Sequence, residues 1–486
     1  MKIRNLIDMI SYIELVNFDS YAFEVEGLSY NSKKTLPNDL FICLPGEQVD
    51  GHEYAQEAVD NGAVACVVEK RLTLDIPQIV VESTQQMIAE ISSKFFSNPS
   101  KDLNIIGVTG TNGKTTVTHL IQKLEEAFGK KCALIGTLGN KFSSEDVYHD
   151  AKHTTPQAPE LQKLFAEIND KFINNVVMEV SSHSLVQHRV DYVDFNGAVL
   201  TNLTQDHLDF HITMDNYFKA KASLFENLVT GDFAILNADD SYFERFSKVI
   251  SNGVNKYTYG VNNTADVMAK DIVFGTNGAA FTCIIKDNEY PVNLNMNGMF
   301  SVYNVLAAIT TALALNFDIE KSIEVLCGLN GVAGRFEIVT TKPVVIVDYA
   351  HTPDGLENVL KAARDITPSG GKLICIFGCG GDRDATKRPK MGAIAEDYAD
   401  KVIITSDNPR SENPQQIITD ILAGFRSTTE VIVEPDRELA IKEAKKIANE
   451  NDVILLAGKG HEDYQILANE TIHFDDREKV REIFAE

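Results

Sequence analysis

Two long stretches of the chain alternate short apolar runs with helical patterns, and this alternation limits the possible folds more than any other feature. From about residue 103 to 332, the apolar runs include LNIIGVTG, CALIGTL, NNVVMEVSS, GAVLTNL and DFAILNAD. After residue 333 the arrangement repeats with VVIVDYA, KLICIFG, KVIITS and DVILLAG. Continuous apolar runs of strand length between helices are typical of parallel strands buried on both faces. We therefore predict an α/β protein with two doubly wound units.

The sequence predicts three domains, over residues 1–100, 101–332 and 333–486. In the first, the strand-like runs DLFICLPG and GAVACVVE flank the helix-like GHEYAQEAVDN, and SNPSKD follows as a linker. Within the second, KYTYG, AFTCIIK and YPVNLNM indicate antiparallel edge strands before the helix NVLAAITTALAL. The 486 residues exceed the size of one ordinary domain, which agrees with this division.

Composition and local sequence patterns disfavour several classes of protein. The 70 acidic and 45 basic residues give a net charge of -25, which disfavours a nucleic-acid or anionic-membrane binder. The first residues lack a signal-peptide pattern, and no apolar run reaches the roughly 18 residues of a spanning helix. The close pair Cys375 and Cys379 fits a strand and its loop better than a metal or redox site. We expect a cytoplasmic monomer with reduced thiols.

The segment GVTGTNGKTT, residues 107–116, joins a predicted strand to a predicted helix. A Gly-rich turn at a helix N-terminus presents backbone N–H groups to a polyphosphate, and a following Lys and hydroxyl bind phosphate and Mg²⁺. The general motif has Gly six positions before the Lys, where this chain has Val108. The context still predicts a nucleotide site, but it leaves motor, switch, kinase and ligase open. The predicted phosphate contacts are Gly110, Thr111, Asn112, Gly113, Lys114, Thr115 and Thr116.

Six further motifs follow this loop in order: MEVSSHSLVQHR, NLTQDHLDFH, NYFKAKASLF, MFSVYNVLAA, GRFE and DYAHTPDGL. Together with GTNGKT, they resemble the Mur ligases, the ATP-dependent amino-acid ligases of bacterial cell-wall synthesis, over nearly the whole chain. The resemblance implies a UDP-binding α/β N-terminal domain and a central P-loop ATPase domain with a mostly parallel sheet. It also implies a Rossmann-like C-terminal domain that brings the amino acid.

The resemblance assigns the catalytic residues Lys114, Glu179, His207 and Lys221. In the family, the residue matching Glu179 binds Mg²⁺ together with the hydroxyl that Thr115 supplies here. His207 and Lys221, the latter carbamylated by CO₂, would hold a second Mg²⁺. A buried strand-end carboxylate such as Glu179 does need a compensating cation. Taken singly, these side chains would be ordinary surface groups. The further implied ATP contacts are Asn304, Arg335, Asp348 and His351.

The resemblance also implies two substrate sites. The expected UDP-MurNAc-peptide contacts are Ser32, Thr154, Thr155, Ser181, Gln187 and Arg189; His153 departs from the Asn often found there. DNPR, residues 407–410, matches family members that select meso-diaminopimelate, whose distal carboxylate Arg410 could hold bidentately. Glu462 would take the distal ammonium. The implied diaminopimelate contacts are Arg383, Asp407, Asn408, Pro409, Arg410, Gly458 and Glu462.

The implied reaction adds meso-2,6-diaminopimelate to UDP-MurNAc-L-Ala-D-Glu through an acyl phosphate, using ATP and two Mg²⁺. L-Lysine as the amino acid is one alternative, and meso-lanthionine also fits such a pocket. A ligase resembling folylpolyglutamate synthase is disfavoured by the UDP-type domain. A nucleotide-dependent switch without ligase chemistry is disfavoured by the second metal site. No residue stands out as the base that deprotonates the incoming amine.

Overall fold

The structure, a computed structural model, describes residues 1–18, 20–46, 49–149, 153–275 and 278–485. Helices alternate with strands, and most neighbouring strands run parallel, which confirms the predicted α/β class. The chain forms two compact units. The first unit contains Met1–Gly107, Gly129–Ala198 and Glu226–Leu228, and the second contains Val108–Phe128, Val199–Phe225 and Val229–Glu486.

The amino-terminal elements form a five-stranded sheet with flanking helices. They are α1 (Ile3–Ile7), β1 (Glu14–Val16), β2 (Gly27–Ser29), β3 (Asp39–Ile42), α2 (Ala55–Asp60), β4 (Ala65–Val68), β5 (Gln78–Val80) and α3 (Thr84–Phe95). The strand order is β1-β5-β4-β3-β2, with only β1 antiparallel to its neighbour. Every residue of β3 and β4 is buried, as their continuous apolar runs predict.

The predicted linker SNPSKD is an ordered turn. Pro99–Asp102 form a 3-10 turn, and both Pro99 and Ser100 are buried. The Ser100 hydroxyl donates a hydrogen bond to the carboxylate of Asp194, at 3.1 Å. Proline and serine therefore end a helix here without marking an exposed linker.

The central elements follow in the order strand, helix, strand that the apolar runs predict. They are β6 (Asn104–Thr109), α4 (Lys114–Ala127), β7 (Cys132–Gly136), β8 (Gly139–Lys141), α5 (Ala158–Asp170), β9 (Asn175–Glu179), α6 (Ser182–Val186), β10 (Phe195–Leu200), α7 (Leu208–His211), α8 (Met214–Glu226), β11 (Phe233–Asn237), α9 (Phe243–Val249), β12 (Asn255–Gly260), β13 (Val267–Gly275), β14 (Gly278–Ile285), β15 (Asn288–Asn293), α10 (Met299–Ala314) and α11 (Ile319–Cys327).

Strand pairing corrects one prediction in this region. In the first unit, β7 pairs in parallel with β9 and forms a hairpin with β8. In the second unit, β13, β14 and β15 are antiparallel, as predicted for AFTCIIK and YPVNLNM. However, β12, which contains KYTYG, pairs in parallel with both β11 and β13. The prediction that KYTYG is an antiparallel strand is therefore wrong.

The carboxy-terminal elements build a six-stranded sheet in the second unit. They are β16 (Glu337–Thr341), β17 (Val344–Asp348), α12 (Pro353–Asp365), β18 (Leu373–Phe377), α13 (Arg388–Tyr398), β19 (Lys401–Ile404), α14 (Pro414–Leu422), β20 (Val431–Val433), α15 (Arg437–Ile447), β21 (Val453–Ala457), β22 (Tyr464–Ile466), β23 (Thr471–His473) and α16 (Asp476–Ala485). The order is β16-β17-β21-β18-β19-β20, and only β16 is antiparallel.

Helices cover both faces of this sheet. Alternate residues of β18 point to opposite sides: Cys375 packs in the cluster that includes residues of α12, α13 and α14, whereas Ile376 packs with α15 and α16. This arrangement confirms a doubly wound unit. The loops after β17, β18, β19 and β21 leave the sheet at its carboxyl edge, where such folds bind ligands.

The cysteines and helix lengths bear on two further predictions. All seven cysteines lie in the described ranges, and none of them forms a disulfide there. Cys375 lies in β18 and Cys379 just after it, and burial raises the pKa of each thiol to about 12, which leaves them unreactive near neutral pH. Among the residues that the structure describes, no helix is both long enough and apolar enough to span a bilayer.

Candidate functional site

The phosphate loop requires glycine at two positions for steric reasons. The loop leaves β6 at Thr109 and enters α4 at Lys114. Gly110 and Gly113 have positive φ angles of 149° and 86°. A Cβ at Gly110 would overlap the Thr201 hydroxyl, and one at Gly113 would lie 2.5 Å from the Asn304 Oδ1. The loop backbone therefore approaches its neighbours too closely for any larger residue.

Val108 lies outside the turn. It is fully buried inside β6, so the general motif's first glycine would fall in a strand. The Lys114 ammonium folds back over the loop and donates to the carbonyls of Gly110, at 2.9 Å, and Thr111, at 2.8 Å. A polyphosphate bound at the loop would compete with these two carbonyls for the Lys114 ammonium. The Lys114 ammonium thus gives the loop a charged donor suited to the predicted nucleotide phosphates.

Side chains from neighbouring segments hold the loop in shape. Asn202 accepts the Asn112 N–H at its Oδ1 and the Thr111 N–H at its carbonyl, both at 2.9 Å. The Asn112 side chain donates to Asp354 at 2.8 Å, and the Thr201 hydroxyl donates to the Asn112 carbonyl at 2.5 Å. Asn202 and Asp354 lie inside the motifs NLTQDHLDFH and DYAHTPDGL, yet only the fold reveals that they support the loop. Thr115 and Thr116 are buried on α4.

Lys221 lies beside the loop and is almost completely buried, with 1% of its surface exposed. Its Nζ donates to the Gly110 carbonyl at 2.9 Å and to the Thr109 hydroxyl at 3.4 Å. Burial and the nearby Lys114 lower the pKa of the Lys221 ammonium well below its usual value. A neutral amine is the form that reacts with CO₂, so this environment suits the predicted carbamate. Lys219, on the same helix, is exposed and paired with Asp215.

His207 lies next to a buried carboxylate that the sequence analysis did not single out. Its Nε2 is 3.2 Å from the Asp206 Oδ2, and it occupies the N-cap position of α7 with a positive φ of 54°. Burial raises the pKa of Asp206, but His207, His351 and Lys387 outweigh it and lower the pKa to about 2. Asp206 therefore supplies a fixed negative charge next to His207.

Asn304, Arg335, Asp348 and His351 lie in the same unit as the loop. The Arg335 guanidinium stacks 4.3 Å from the Tyr349 ring centre and donates to the Thr115 hydroxyl at 3.3 Å. Asp348 ends β17 and accepts two backbone N–H groups at 2.7 Å; burial nevertheless raises its pKa. Burial lowers the pKa of His351 to about 4, so its ring is neutral at pH 7.

In the first unit, Glu179 ends β9 and is fully buried. It accepts the Thr137 N–H at 2.9 Å and the Thr137 hydroxyl at 3.0 Å. The same hydroxyl lies 3.0 Å from the hydroxyl of Thr154. Thr155 donates to the Glu179 carbonyl at 2.9 Å and accepts the Ser181 N–H at 3.0 Å. The structure thus brings the predicted metal-binding glutamate together with three predicted peptide contacts.

Arg189 extends this cluster. Its guanidinium donates to the Gln187 Oε1, at 3.0 and 2.5 Å, and to the Thr155 carbonyl at 2.9 Å. Ser32 lies in a separate group: its hydroxyl donates to Glu57 at 2.5 Å and its carbonyl accepts from Asn61. Ser32, the expected diphosphate contact, is thus held by Glu57 and Asn61, which are not among the expected peptide contacts.

The predicted amino-acid pocket lies on loops at the carboxyl edge of the six-stranded sheet. The Asn408 amide donates to Glu462 at 2.8 Å, and the buried Lys459 ammonium lies 3.4 Å from both side chains. Burial and Asp407 raise the pKa of Glu462, whereas Lys459 lowers it. A Cβ at Gly458 would overlap the Asp407 carboxylate. Lys459 lies inside GKGHED but was not predicted to take part.

Arg410 and Arg383 are the two arginines predicted for this pocket, and they lie on two different loops. The Arg410 backbone has a φ of 52°, and its Nη1 donates to the Gly381 carbonyl at 2.8 Å. The Arg383 Nη1 donates to the Asp382 carbonyl at 2.8 Å, and Pro409 is buried between its neighbours in DNPR. Both guanidinium groups therefore belong to the loops that follow β18 and β19.

The four side chains predicted to bind Mg²⁺ differ in chemical type. Within the described ranges, no group of three or more His, Cys, Asp and Glu side chains could hold a metal ion. The four predicted ligands include only two of these types, Glu179 and His207; the others are the Thr115 hydroxyl and the carbamate of Lys221. The oxygen donors of Thr115, Glu179 and the carbamate suit Mg²⁺, and His207 would add one imidazole nitrogen.

Three family models match the chain. They are the Mur ligase middle domain over residues 108–312, the Mur ligase, glutamate ligase domain over 334–460, and the Mur ligase family, catalytic domain over 24–96. The UDP-N-acetylmuramoyl-L-alanyl-D-glutamate–2,6-diaminopimelate ligase of Clostridium botulinum is 46% identical over 472 residues, 95% of this chain and 96% of that protein.

Two further comparisons cover the chain from end to end or nearly so. The ligase 1 of the same name from Clostridium acetobutylicum is 44% identical over 492 residues, 100% of both chains. A solved structure of a UDP-N-acetylmuramoyl-L-alanyl-D-glutamate–2,6-diaminopimelate ligase is 34% identical, covers 95% of both chains and superposes with a TM-score of 0.66. The chain belongs to the Mur ligase family.

Proposed function

We propose that this protein is an ATP-dependent, ADP-forming ligase that adds meso-2,6-diaminopimelate to UDP-MurNAc-L-Ala-D-Glu in peptidoglycan precursor synthesis. The observation that carries the proposal is the pocket on the carboxyl edge of the six-stranded sheet. There Asp407 and Glu462 supply carboxylates, and Arg410 supplies a guanidinium on an adjoining loop. The relatives named for this reaction, at 42–46% identity, support the same substrate.

The amino acid has two amino-carboxylate ends, and the pocket has partners for the second end. Arg410 would bind the distal carboxylate, and Glu462 would accept the distal ammonium. L-Lysine ends in an ammonium alone, so the Arg410 guanidinium would face a like charge. Arg383, Asp407, Asn408, Pro409 and Gly458 would shape the rest of the pocket.

Mur ligases use ATP and Mg²⁺, and the loop residues of this chain suit that chemistry. Gly110, Thr111, Asn112, Gly113, Lys114, Thr115 and Thr116 would bind the phosphates, and Asn304, Arg335, Asp348 and His351 would contact the rest of ATP. We propose two magnesium ions, the first held by Thr115 and Glu179 and the second by His207 and carbamylated Lys221. Bound Mg²⁺ would neutralise the phosphate charge during phosphoryl transfer.

The reaction would proceed in two steps. The free carboxylate of the D-glutamyl residue attacks the γ-phosphorus of ATP, forming an acyl phosphate and releasing ADP. The amino group of diaminopimelate then attacks the acyl carbon, forms the peptide bond and expels phosphate. Lys114 would stabilise the charge on the transferred group. The neutral amine of Lys221 would react with CO₂ and release a proton, and the resulting carbamate would supply the anion that the ammonium cannot.

The remaining assignments concern the peptide substrate and the whole chain. We propose that Ser32 contacts the diphosphate and that Thr154, Thr155, Ser181, Gln187 and Arg189 contact the muramoyl peptide. We also propose a three-domain organisation over 1–100, 101–332 and 333–486, and a cytoplasmic monomer. Mass measurement in solution would test the last point.

Phosphate release with UDP-MurNAc-L-Ala-D-Glu and each amino acid tests the function. We expect release with meso-diaminopimelate, less with meso-lanthionine, and little with L-lysine. Arg410→Ala should lower kcat/KM for diaminopimelate by at least about tenfold, since a bidentate charged contact is lost. A preference for lysine would overturn the assignment of Arg410. Release with none of the three would favour a folate ligase or a switch.

A further inference from the structure

Arg437 is a fully buried arginine that none of the predicted sites uses. It begins α15, and 1% of the residue's surface is exposed. Its Nε and Nη2 donate to the two oxygens of Asp476, at 2.8 and 2.7 Å, and Asp476 is itself fully buried at the start of α16. The guanidinium is thus fixed in one orientation by a two-point ion pair.

The remaining donors of this guanidinium reach two loops of the proposed amino-acid pocket. Nη2 donates to the Ala457 carbonyl at 3.1 Å, and Nη1 donates to the Ser406 carbonyl at 3.4 Å. Ala457 is the last residue of β21 and directly precedes Gly458. Ser406 directly precedes Asp407. One side chain therefore contacts the carbonyl immediately before each of these two loops.

The two strands that lead to these loops are not neighbours in the sheet. β18 lies between β21 and β19, so no ladder of backbone hydrogen bonds joins the two loops directly. Arginine has five donors in a planar fork, which allows one group to span this gap and still hold Asp476. A lysine ammonium is a point charge and cannot reproduce the fork.

We infer that Arg437, held by Asp476, is a positioning residue that sets the spacing of the Asp407 and Gly458 loops for the amino acid; this inference rests on the proposed function. Its positive charge also lies close enough to Asp407 and Glu462 to interact with both carboxylates. It acts through the loop carbonyls and does not itself touch the substrate. The ion pair alone does not require an arginine, because a well-packed apolar pair often serves folding equally well.

The test measures KM for each substrate in Arg437→Lys and in Asp476→Asn. We expect KM for meso-diaminopimelate to rise by about tenfold or more in Arg437→Lys, because a charged, two-loop contact is lost. KM for ATP should change by less than about twofold, since the phosphate loop lies on other elements. Asp476→Asn should show the same pattern with a smaller increase.

Arg364→Lys is the matched control. Arg364 donates to Asp400 at 2.8 Å and to the Tyr398 carbonyl at 3.0 Å in the same compact unit, and both of these partners lie outside the pocket loops. It should leave all three KM values unchanged. Equal increases of KM for all substrates, or an unchanged KM for diaminopimelate in a folded variant, would refute the inference. If Arg437→Lys does not fold, Asp476→Asn decides by the same criterion. Wild-type protein that fails to use diaminopimelate would instead refute the proposed function.

Discussion

Two lysines on one helix show what a single residue can and cannot reveal. Lys219 and Lys221 are two positions apart on α8, and without the family resemblance both would be interpreted as solvated charges. Lys219 is exposed and pairs with Asp215 at 2.8 Å, whereas Lys221 is buried against Gly110. The motif resemblance singled out Lys221. Its burial and lowered pKa depend on how α8 packs against the loop, which local sequence does not specify.

Replacing Lys221 separates the carbamate from a simple structural role. Lys221→Ala should abolish phosphate release, because neither the ammonium nor its carbamate remains. Formate or acetate, added at high concentration, should restore part of the activity by taking the place of the carbamate oxygens. Phosphate release measured against carboxylate concentration would show this rescue.

Lys219→Ala is the matched control, because it removes a lysine from the same helix at an exposed position. It should keep most of the wild-type activity and show no response to added carboxylate. Full activity of Lys221→Ala without any carboxylate would contradict the carbamate assignment. A soluble, folded variant with no rescue would leave Lys221 as a positioning group for the loop.

At the scale of elements, continuous apolar runs were the reliable signal. β6, β7, β9, β11, β17, β18 and β21 all lie where such runs predicted strands. β13 has only two buried residues, Val267 and Ala269, and no long apolar run marks it, so the sequence groups KYTYG with the antiparallel strands that follow. The direction of β12 is set by its partners β11 and β13, which are non-local pairings. The resemblance assigned the candidate site residues, and many of them lie in loops that directly follow such runs, whereas the contacts of Thr137, Asn202 and Lys459 depend on tertiary structure.

The phosphate loop offers a direct test of its steric requirement. Gly113→Ala should lower ATP affinity by about tenfold or more, because a Cβ there would displace Asn304 and strain a residue with positive φ. Titration with a fluorescent ATP analogue would measure this change. Gly129→Ala is the control: Gly129 also has a positive φ, of 78°, but a Cβ there meets nothing within 4 Å.

Gly129→Ala should therefore destabilise the protein by only about 1 kcal/mol, the cost of a left-handed alanine, and leave ATP affinity unchanged. Equal losses of affinity in the two variants would mean that helix stability, and not the loop contact, controls binding.

At the scale of the whole molecule, the acidic chain also contains a buried histidine whose protonation affects the stability of the fold. Burial, with Arg335 and Arg477, lowers the pKa of His461 from 6.5 to about 3, and its ring packs 5.0 Å from the Tyr349 ring. Between these pH values the unfolded chain binds a proton that the folded chain does not. Stability must therefore fall as the pH drops from about 6.5 toward 3.

We expect His461→Phe to lose less stability than the wild type between pH 7.5 and 5.0, because phenylalanine keeps the ring contact and does not titrate. Urea unfolding followed by circular dichroism at both pH values measures the difference. His473→Phe is a control with the opposite sign. Glu478, 2.7 Å away, raises the pKa of His473, so this pair stabilises the fold below about pH 6.5 and its contribution is lost as the pH rises. Removing His473 should therefore make the loss of stability at acid pH larger. An identical loss in the wild type and His461→Phe would show that other groups control the acid response.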